Sequence, residues 1–182
     1  MERYRIKTGC RPSLKRLDPD DTGAFKKTGA GKAKAKTATA EHIAQLDQLQ
    51  ERLYANRTRA LLIILQGMDT SGKDGTIKHV MSGVNPQGCE VYSFKAPSAE
   101  ELDHDFLWRC MRRLPERGRI GIFNRSYYEE TLVVRVHKEF LAKQKLPAKL
   151  VTKHIWKERF EDISAMEKYL SRNGIIVRQR KS

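Results

Sequence analysis

An apolar run that leads directly into a glycine-rich turn constrains this chain most. Residues 61–65 are continuous aliphatic sequence, and residues 67–76 are GMDTSGKDGT. A short apolar run of this kind is typical of a strand buried on both faces of a parallel sheet. A G-x-x-x-x-G-K turn between a strand and a helix presents backbone N–H groups and one lysine to a chain of phosphates. The sequence therefore predicts a phosphate-binding loop, with Asp74 where most such loops carry Ser or Thr.

Strands and helices are predicted to alternate on both sides of this loop. Strands are expected at 61–65, 90–94, 119–123 and from 175, and helices over 41–56, 76–84, 98–114, from 126 and over 147–170. The helix at 98 has a predicted capping box. Strands that alternate with helices favour right-handed βαβ units and a three-layer α/β fold around a parallel sheet.

Composition divides the chain near residue 40. Residues 1–40 are basic and rich in Gly, Ala and Thr, with a lysine-rich run at 26–36, so we expect a mobile extension before a folded domain over 41–182. The formal net charge of +14 favours a polyanionic partner: nucleic acid, an acidic membrane surface or a phosphate polymer. The extension is either a solvated tail or an arm that holds a polyanion near the site.

The cysteines and the apolar segments indicate a cellular compartment. Cys10, Cys89 and Cys110 show no pairing pattern, so neither a disulfide framework nor a zinc site is expected. No apolar run approaches the length that spans a membrane, and the N-terminus has no apolar signal segment. These features predict a soluble protein of the reducing cytoplasm.

Charged side chains within the loop indicate phosphoryl transfer. Lys73 stands where an ammonium group can neutralise the charge that moves during transfer. Asp69 and Asp74 would repel bound phosphate unless a cation lay between them, so we expect these carboxylates to hold Mg²⁺. Asp74 has an alternative role as a helix cap that complements the helix dipole. The residues expected to contact phosphate are Gly67, Gly72, Lys73, Gly75 and Thr76.

A second group of polar residues follows the strand at 119–123. Asn124 and Arg125 stand at its carboxyl end, where ligands bind in open α/β sheets. Asn124 is a candidate metal ligand but adds no charge, so a carboxylate of the loop or of Glu129 must supply it. Arg125 suits a transferring phosphoryl group because its guanidinium matches phosphate oxygens; the alternative is a surface arginine at a helix start.

Two further features have open interpretations. The segment 95–101 follows a strand at the same edge, and it either contacts the phosphoryl acceptor or only turns the chain. The arginines between 109 and 119 either line a polyanion path or are solvated charges on helix faces.

Four short motifs, in this order, resemble the second polyphosphate kinase family. They lie at 67–75 (GMDTSGKDG), 85–88 (NPQG), 94–98 (FKAPS) and 123–129 (FNRSYYE). The resemblance runs from about residue 40 to residue 177 and implies a P-loop kinase fold similar to thymidylate kinase. It also implies Mg²⁺-dependent transfer of phosphate between inorganic polyphosphate and nucleoside mono- or diphosphates, with no covalent enzyme intermediate.

The resemblance extends to residue roles and partners. Asn124 with Glu129 is similar to the subgroup that accepts monophosphates as well as diphosphates, of the AMP/ADP or GDP type. Family members form dimers or tetramers, so a homo-oligomer is implied, and neither a membrane nor a specific nucleic acid is an implied partner. The residues to which the resemblance assigns catalytic roles are Asp69, Lys73, Asp74, Arg125 and Glu129.

The sequence departs from the family after residue 177. The family continues past the strand that begins at Ile175 into a helical lid with further basic residues and a final strand, whereas this sequence ends with RQRKS. We therefore expect a fold that is incomplete at the C-terminus, and weakened transfer, because the lid would exclude water and add positive charge. A polyphosphate-binding remnant without turnover is the alternative function. A nucleic-acid-dependent ATPase is disfavoured by Asn124, which stands where an acid is usual, and by the lack of aromatic stacking runs.

Overall fold

The computed structural model describes residues 20–181, together with Cys10, Ser13, Lys15 and Asp18. By its internal contacts the chain divides into two compact units, residues 1–42 and residues 43–182. The described part of the first unit consists of turns followed by the first half of helix α1, Gly29–Asn56. The rest of the predicted extension, most of residues 1–19, lies outside the described residues.

Helix α1 begins earlier than the sequence predicts. Its start is predicted near Glu41 with Thr39 as a cap, but the helix begins at Gly29. Thr39 lies inside it, where its Oγ1 donates a hydrogen bond to the Ala35 carbonyl at 2.7 Å. The prediction relied on the scarcity of large apolar residues, whereas Ala and Lys have high helix propensity even when they are exposed. The predicted helix boundary is therefore wrong, and the domain boundary at residue 40 stays a prediction.

The second unit alternates strands with helices, as predicted. The strands are β1 (Ala60–Gln66), β2 (Cys89–Ser93), β3 (Ile120–Asn124) and β4 (Ile175–Lys181). The α-helices after α1 are α2 (Lys73–Met81), α3 (Ala99–Leu102), α4 (Trp108–Met111), α5 (Lys138–Ala142) and α6 (Ile155–Arg172). The connections include 3₁₀ turns at Pro86–Gly88 and Ala148–Leu150 and a π-helical turn at Glu130–Val134.

The four strands form one parallel sheet in the order β2-β3-β1-β4. At the carboxyl ends, Asn124 of β3 is opposite Leu65 of β1 and Ser93 of β2, and Gln66 of β1 is opposite Lys181 of β4. The ends of neighbouring strands therefore meet beside the glycine loop that follows β1. This topology confirms the predicted parallel α/β sheet, and ligands bind at this edge in such sheets.

Apolar side chains of the strands form the core on both faces of the sheet. Leu62, Ile64 and Phe123 have no exposed surface and belong to a cluster that includes side chains of α6. Leu65 and Ile122 belong to a second cluster that packs partly against α2. Because both faces of β1 are covered, its sequence is continuously apolar instead of alternating.

Two predicted helices are shorter than expected. The segment 98–114 has its predicted capping box, but it divides into α3 and α4, and between them the Asp105 carboxylate accepts the Leu107 N–H at 2.9 Å. Short acidic side chains compete in this way for backbone N–H groups and interrupt helices. The last helix is predicted from residue 147 but begins at Ile155. Among the described residues, none of the helices has the length and apolar character needed to cross a membrane.

Candidate active site

The turn between β1 and α2 forms a cleft at the carboxyl edge of the sheet. Gly72 and Thr70 have φ angles of 82° and 68°, a left-handed conformation that is strained for Thr. Helix α2 begins at the next residue, Lys73, so the cleft lies at a helix N-terminus, which favours anions. Its volume is about 480 Å³, and residues 69–75, 93–96 and 124–125 line it. Of the five residues predicted to contact phosphate, those in the lining are Gly72, Lys73 and Gly75.

The Lys73 ammonium group is fixed against the loop itself. Lys73 is only 8% exposed. Its Nζ donates to the carbonyls of Gly67 at 3.0 Å and Met68 at 2.6 Å, and to Ser71 Oγ at 3.4 Å. These bonds close the loop around the ammonium, and Lys73 belongs to the lining of the cleft.

Asn124 connects the end of β3 to the start of α2. Its Nδ2 donates to Asp74 Oδ1 at 2.5 Å and to Ser93 Oγ at 3.4 Å. Asn124 is buried, whereas Asp74 is exposed to the cleft. The amide nitrogen therefore orients the Asp74 carboxylate, a role that the sequence did not suggest. The prediction that Asn124 binds a metal ion concerns the amide oxygen, Oδ1, and stays a prediction.

Arg125 brings together three of the predicted residues. Its Nη2 pairs with the Asp69 carboxylate, and its Nη1 donates to Glu129 Oε2 at 3.4 Å. The hydrogen bond to Asp69 raises the pKa of Arg125 above its ordinary value, so this side chain stays cationic. Arg125 has a φ of 65°, and its backbone N–H donates to the Leu65 carbonyl at 3.0 Å. A non-glycine residue in this conformation at the edge of a cleft is typical of a functional position.

Gln66 is a residue of the site that the sequence reasoning missed. This last residue of β1 is 3% exposed, and its Nε2 donates to Glu129 Oε1 at 2.5 Å. Ser126 Oγ donates to Gln66 Oε1 at 3.1 Å, so both ends of the amide are used. Gln66 thereby fixes the Glu129 carboxylate beside Arg125. A polar residue at the end of an otherwise apolar strand was the available signal.

A second cavity adjoins the first. Its volume is about 350 Å³, and aromatic side chains from several elements line it, among them Phe94, Phe106 and Phe140. Phe94, Lys95, Ala96 and Arg125 line both the cleft and this cavity. The two spaces therefore share one wall, in which Arg125 and Lys95 are the basic residues.

Arg109 supports this shared wall. Its side chain is 14% exposed, its Nη2 donates to the Lys95 carbonyl at 2.7 Å, and its Nη1 donates to Glu101 Oε2 at 3.2 Å. The guanidinium carbon also lies 5.1 Å from the centre of the Phe94 ring. The segment 95–101, for which the sequence left two interpretations open, thus forms part of the wall of both spaces.

Comparisons with known proteins agree with this geometry. The sequence profile of the family described as Polyphosphate kinase 2 matches residues 29–180. An ADP-polyphosphate phosphotransferase from Rhodopseudomonas palustris is 55% identical over 136 residues, which are 74% of this chain and 47% of that protein. An AMP/ADP-polyphosphate phosphotransferase from Meiothermus ruber is 42% identical over 177 residues, which are 97% of this chain and 61% of that protein.

A solved structure is similar over the same region. The crystal structure of polyphosphate kinase 2 from Arthrobacter aurescens TC1 superposes with a TM-score of 0.81 at 35% sequence identity, covering 97% of this chain and 58% of that one. This chain thus spans about half the length of the curated relatives that it matches. The similarity confirms the predicted α/β fold and is consistent with a P-loop kinase. Because the family profile covers most of its length, the chain belongs to the polyphosphate kinase 2 family.

Proposed function

We propose that this chain transfers phosphoryl groups between inorganic polyphosphate and nucleoside mono- or diphosphates. The observation that carries the proposal is the pair of adjoining spaces with Arg125 in their common wall. The names of two relatives, an ADP-polyphosphate and an AMP/ADP-polyphosphate phosphotransferase, support the same substrates.

The two spaces suit two different ligands. The cleft at the glycine loop has Lys73 and the N-terminus of α2 in its wall, which favours the polyanionic donor. The second cavity has aromatic walls with a few polar groups, which favours a nucleobase and its sugar. A nucleotide bound there has its terminal phosphate at the wall shared with the cleft.

Transfer in this arrangement needs positioning and charge neutralisation, with no covalent intermediate on the protein. A terminal phosphate oxygen of the nucleotide attacks the terminal phosphorus of polyphosphate, and the bond from that phosphorus to its bridging oxygen breaks. Lys73 and Arg125 neutralise the charge on the transferring group. Arg125 exchanges its Asp69 partner for phosphate oxygens, while Glu129, fixed by Gln66, keeps the guanidinium aligned.

We propose Mg²⁺ as the metal. Two carboxylates, Asp69 and Asp74, line the cleft, and Asn124, which also lines it, offers its amide oxygen Oδ1. One or two carboxylates completed by phosphate oxygens and water are the ligand set that Mg²⁺ prefers. When bound, the ion would neutralise phosphate charge that these carboxylates otherwise oppose.

We also propose that the protein acts in the cytoplasm as a homo-oligomer. The cysteines that the structure describes, Cys10, Cys89 and Cys110, are free thiols, which suits a reducing compartment. Light scattering coupled to gel filtration tests the oligomer, and a mass equal to one chain at all concentrations would contradict it.

The activity is tested by incubating the protein with long-chain polyphosphate, Mg²⁺ and either AMP or ADP, and separating the nucleotides. Lys73→Ala is expected to lower the rate at least about 100-fold, the effect of losing a main electrostatic contact to the transition state. Lys149→Ala, which changes an exposed lysine outside both spaces, is the matched control. No product from the wild-type chain, or equal rates for Lys73→Ala and the wild type, would refute the assignment.

A second candidate function is polyphosphate binding without turnover, which the net charge of +14 favours. Such binding would weaken steeply with salt, as expected for a polyanion that releases counterions. Polyphosphate binding with this salt dependence, and no nucleotide product in the same samples, would support the second candidate over the first.

A further inference from the structure

The residues after β3 contact two different parts of the molecule in turn. Arg125 and Glu129 line the second cavity and pair with each other. Tyr127, Tyr128 and Glu130, which lie between and beside them, contact helix α6. The proposed transfer uses Arg125 and Glu129 but gives no role to α6.

One carboxylate oxygen of α6 accepts hydrogen bonds from both tyrosines. The Tyr127 hydroxyl donates to Glu167 Oε1 at 2.7 Å, and the Tyr128 hydroxyl donates to the same atom at 2.8 Å. Tyr127 is 3% exposed. Burial, reinforced by the Glu167 carboxylate, raises the pKa of both hydroxyls, so they remain protonated donors over the ordinary pH range. Glu167 therefore binds two consecutive residues of this segment to α6.

A buried ion pair attaches the next turn to the same helix. Glu130 is 5% exposed, and its Oε1 lies 3.3 Å from Arg159 Nε of α6. Gln144 Nε2 donates to the other oxygen, Glu130 Oε2, at 2.7 Å. Glu130 begins a π-helical turn, a geometry that is often found at functional sites.

These contacts bear on Arg125 because its backbone is strained. A non-glycine residue at a φ of 65° persists only where its surroundings fix it. On one side the Arg125 N–H is bonded to the Leu65 carbonyl of β1. On the other side, Ser126 Oγ is bonded to Gln66 of β1, and the two tyrosine hydroxyls on Glu167 follow directly after it.

From this geometry we propose that Glu167 is a positioning residue for phosphoryl transfer, acting through Tyr127 and Tyr128 to hold Arg125 at the shared wall and Glu129 beside it. The proposal rests on the proposed function for its catalytic consequence. The positioning itself can be measured without turnover.

The test compares Glu167→Ala and Glu167→Gln with Glu158→Ala, which removes an exposed carboxylate of the same helix. Glu167→Ala leaves two buried hydroxyl donors without their acceptor, whereas the amide oxygen of Glu167→Gln can still accept both bonds. Hydrogen exchange followed by mass spectrometry is measured for residues 125–131 and for the loop at 69–75. Transfer kinetics are measured on the same variants.

For Glu167→Ala we expect exchange at 125–131 to be about tenfold faster, with little change at 69–75, because local opening is governed by the contacts of each segment. We expect kcat to fall about 10- to 100-fold while the KM for polyphosphate changes less than about threefold, since Lys73 and its loop are unaffected. Glu167→Gln should restore both quantities to within about threefold, and Glu158→Ala should resemble the wild type.

Equal exchange at 125–131 in Glu167→Ala and Glu158→Ala, or the same increase at 69–75, would overturn the positioning role. A Glu167→Gln variant as impaired as Glu167→Ala would overturn it as well. If the alanine variant does not fold, Tyr128→Phe removes one of the two donors and should show the same pattern more weakly. A wild-type chain without transfer would refute the proposed function, while the exchange experiment would still decide the positioning role.

Discussion

The contact between Asn124 and Asp74 allows us to predict how much stability the substitution Asn124→Asp costs. Two estimates limit this cost, one from charge repulsion and one from proton uptake. In Asn124→Asp, a second carboxylate replaces the amide that donates to Asp74 Oδ1 at 2.5 Å. Two charges at that separation repel by about 7 kcal/mol at an effective dielectric constant of 20. The protein avoids this energy by protonating one carboxyl. Proton uptake by a carboxyl with an ordinary pKa of 3.9 costs about 4 kcal/mol at pH 7 and about 1.5 kcal/mol at pH 5.

Proton uptake costs less than the repulsion, so it sets the upper limit on the unfolding free energy that Asn124→Asp can lose. Exposure to solvent lowers this loss further. Asp74 is exposed, so screening reduces the repulsion, and we expect Asn124→Asp to lose about 2 kcal/mol of unfolding free energy at pH 7 relative to Asn124→Ala. The alanine variant loses the same hydrogen bonds without adding charge, which makes it the matched control. The difference should shrink towards pH 5, because the folded state then holds the extra proton at little cost.

The assay is urea unfolding of both variants at pH 5 and pH 7 in EDTA, repeated in excess Mg²⁺. If the carboxylates of the cleft bind Mg²⁺, the ion should stabilise both variants at pH 7, and Asn124→Asp more than Asn124→Ala, because it also relieves the repulsion of the added carboxylate. A difference between the two variants that is zero or independent of pH would refute the electrostatic reasoning. No stabilisation of either variant by Mg²⁺ would count against Asp74 as part of the metal site.

Three further predictions concern single positions. Gly72→Ala should lower the unfolding free energy by about 1 kcal/mol because φ is 82° there, whereas Gly75→Ala inside α2, with no atom within 4 Å of the new methyl, should raise it by up to about 1 kcal/mol. Thermal unfolding of the two variants checks this, and a change of the same sign in both would contradict the prediction. Gly88→Ala places a methyl 1.6 Å from Gln50 Nε2 and should lower the unfolding free energy by about 1–3 kcal/mol. Chemical unfolding should show that Gln50→Ala in the same chain recovers part of this loss, whereas additive losses from the two substitutions would be inconsistent with the clash. Burial raises the pKa of Glu130 more than Gln144 and Arg159 lower it, so the contribution of Glu130 to stability should fall as pH rises above the ordinary glutamate pKa of about 4.3. The unfolding free energy, measured across pH, should therefore fall more steeply in the wild type than in Glu130→Gln, and identical slopes would refute this prediction.

The strands and the glycine loop could be predicted because their signals are local. The aliphatic run at 61–65 and the G-x-x-x-x-G-K spacing depend on neighbours in the sequence, and β1 and the turn lie where those signals place them, whereas α2 (Lys73–Met81) begins and ends earlier than the predicted 76–84. The position of Arg125 at the carboxyl edge of the sheet followed from the rule that ligands bind at the ends of parallel strands. Its ion pairs with Asp69 and Glu129 were not predicted.

The features that sequence reasoning missed depend on contacts between distant residues. Nothing near Gln66 in the sequence shows that its amide fixes Glu129, and nothing near Glu167 shows that it accepts two tyrosine hydroxyls. The break between α3 and α4 has a local cause, the Asp105 carboxylate, but an apolar pattern at helical spacing outweighed it in the prediction. Strand β4 continues to Lys181 although 178–181 are polar, because its backbone pairs with β1.

The pairing of β1 with β4 also has a consequence for how the molecule folds. Ala60 pairs with Ile175 and Gln66 pairs with Lys181, so one flank of the strand that carries the glycine loop comes from a distant part of the chain. Pairings between residues so far apart in sequence are slow to form, because the chain entropy of closing the loop is lost before the contact stabilises it. During synthesis, β1 and its loop therefore leave the ribosome long before β4 can cover their exposed side. Refolding that is limited by this late strand addition would leave an apolar strand edge accessible, which makes chaperone binding and aggregation at that stage sensitive to changes in residues 175–181.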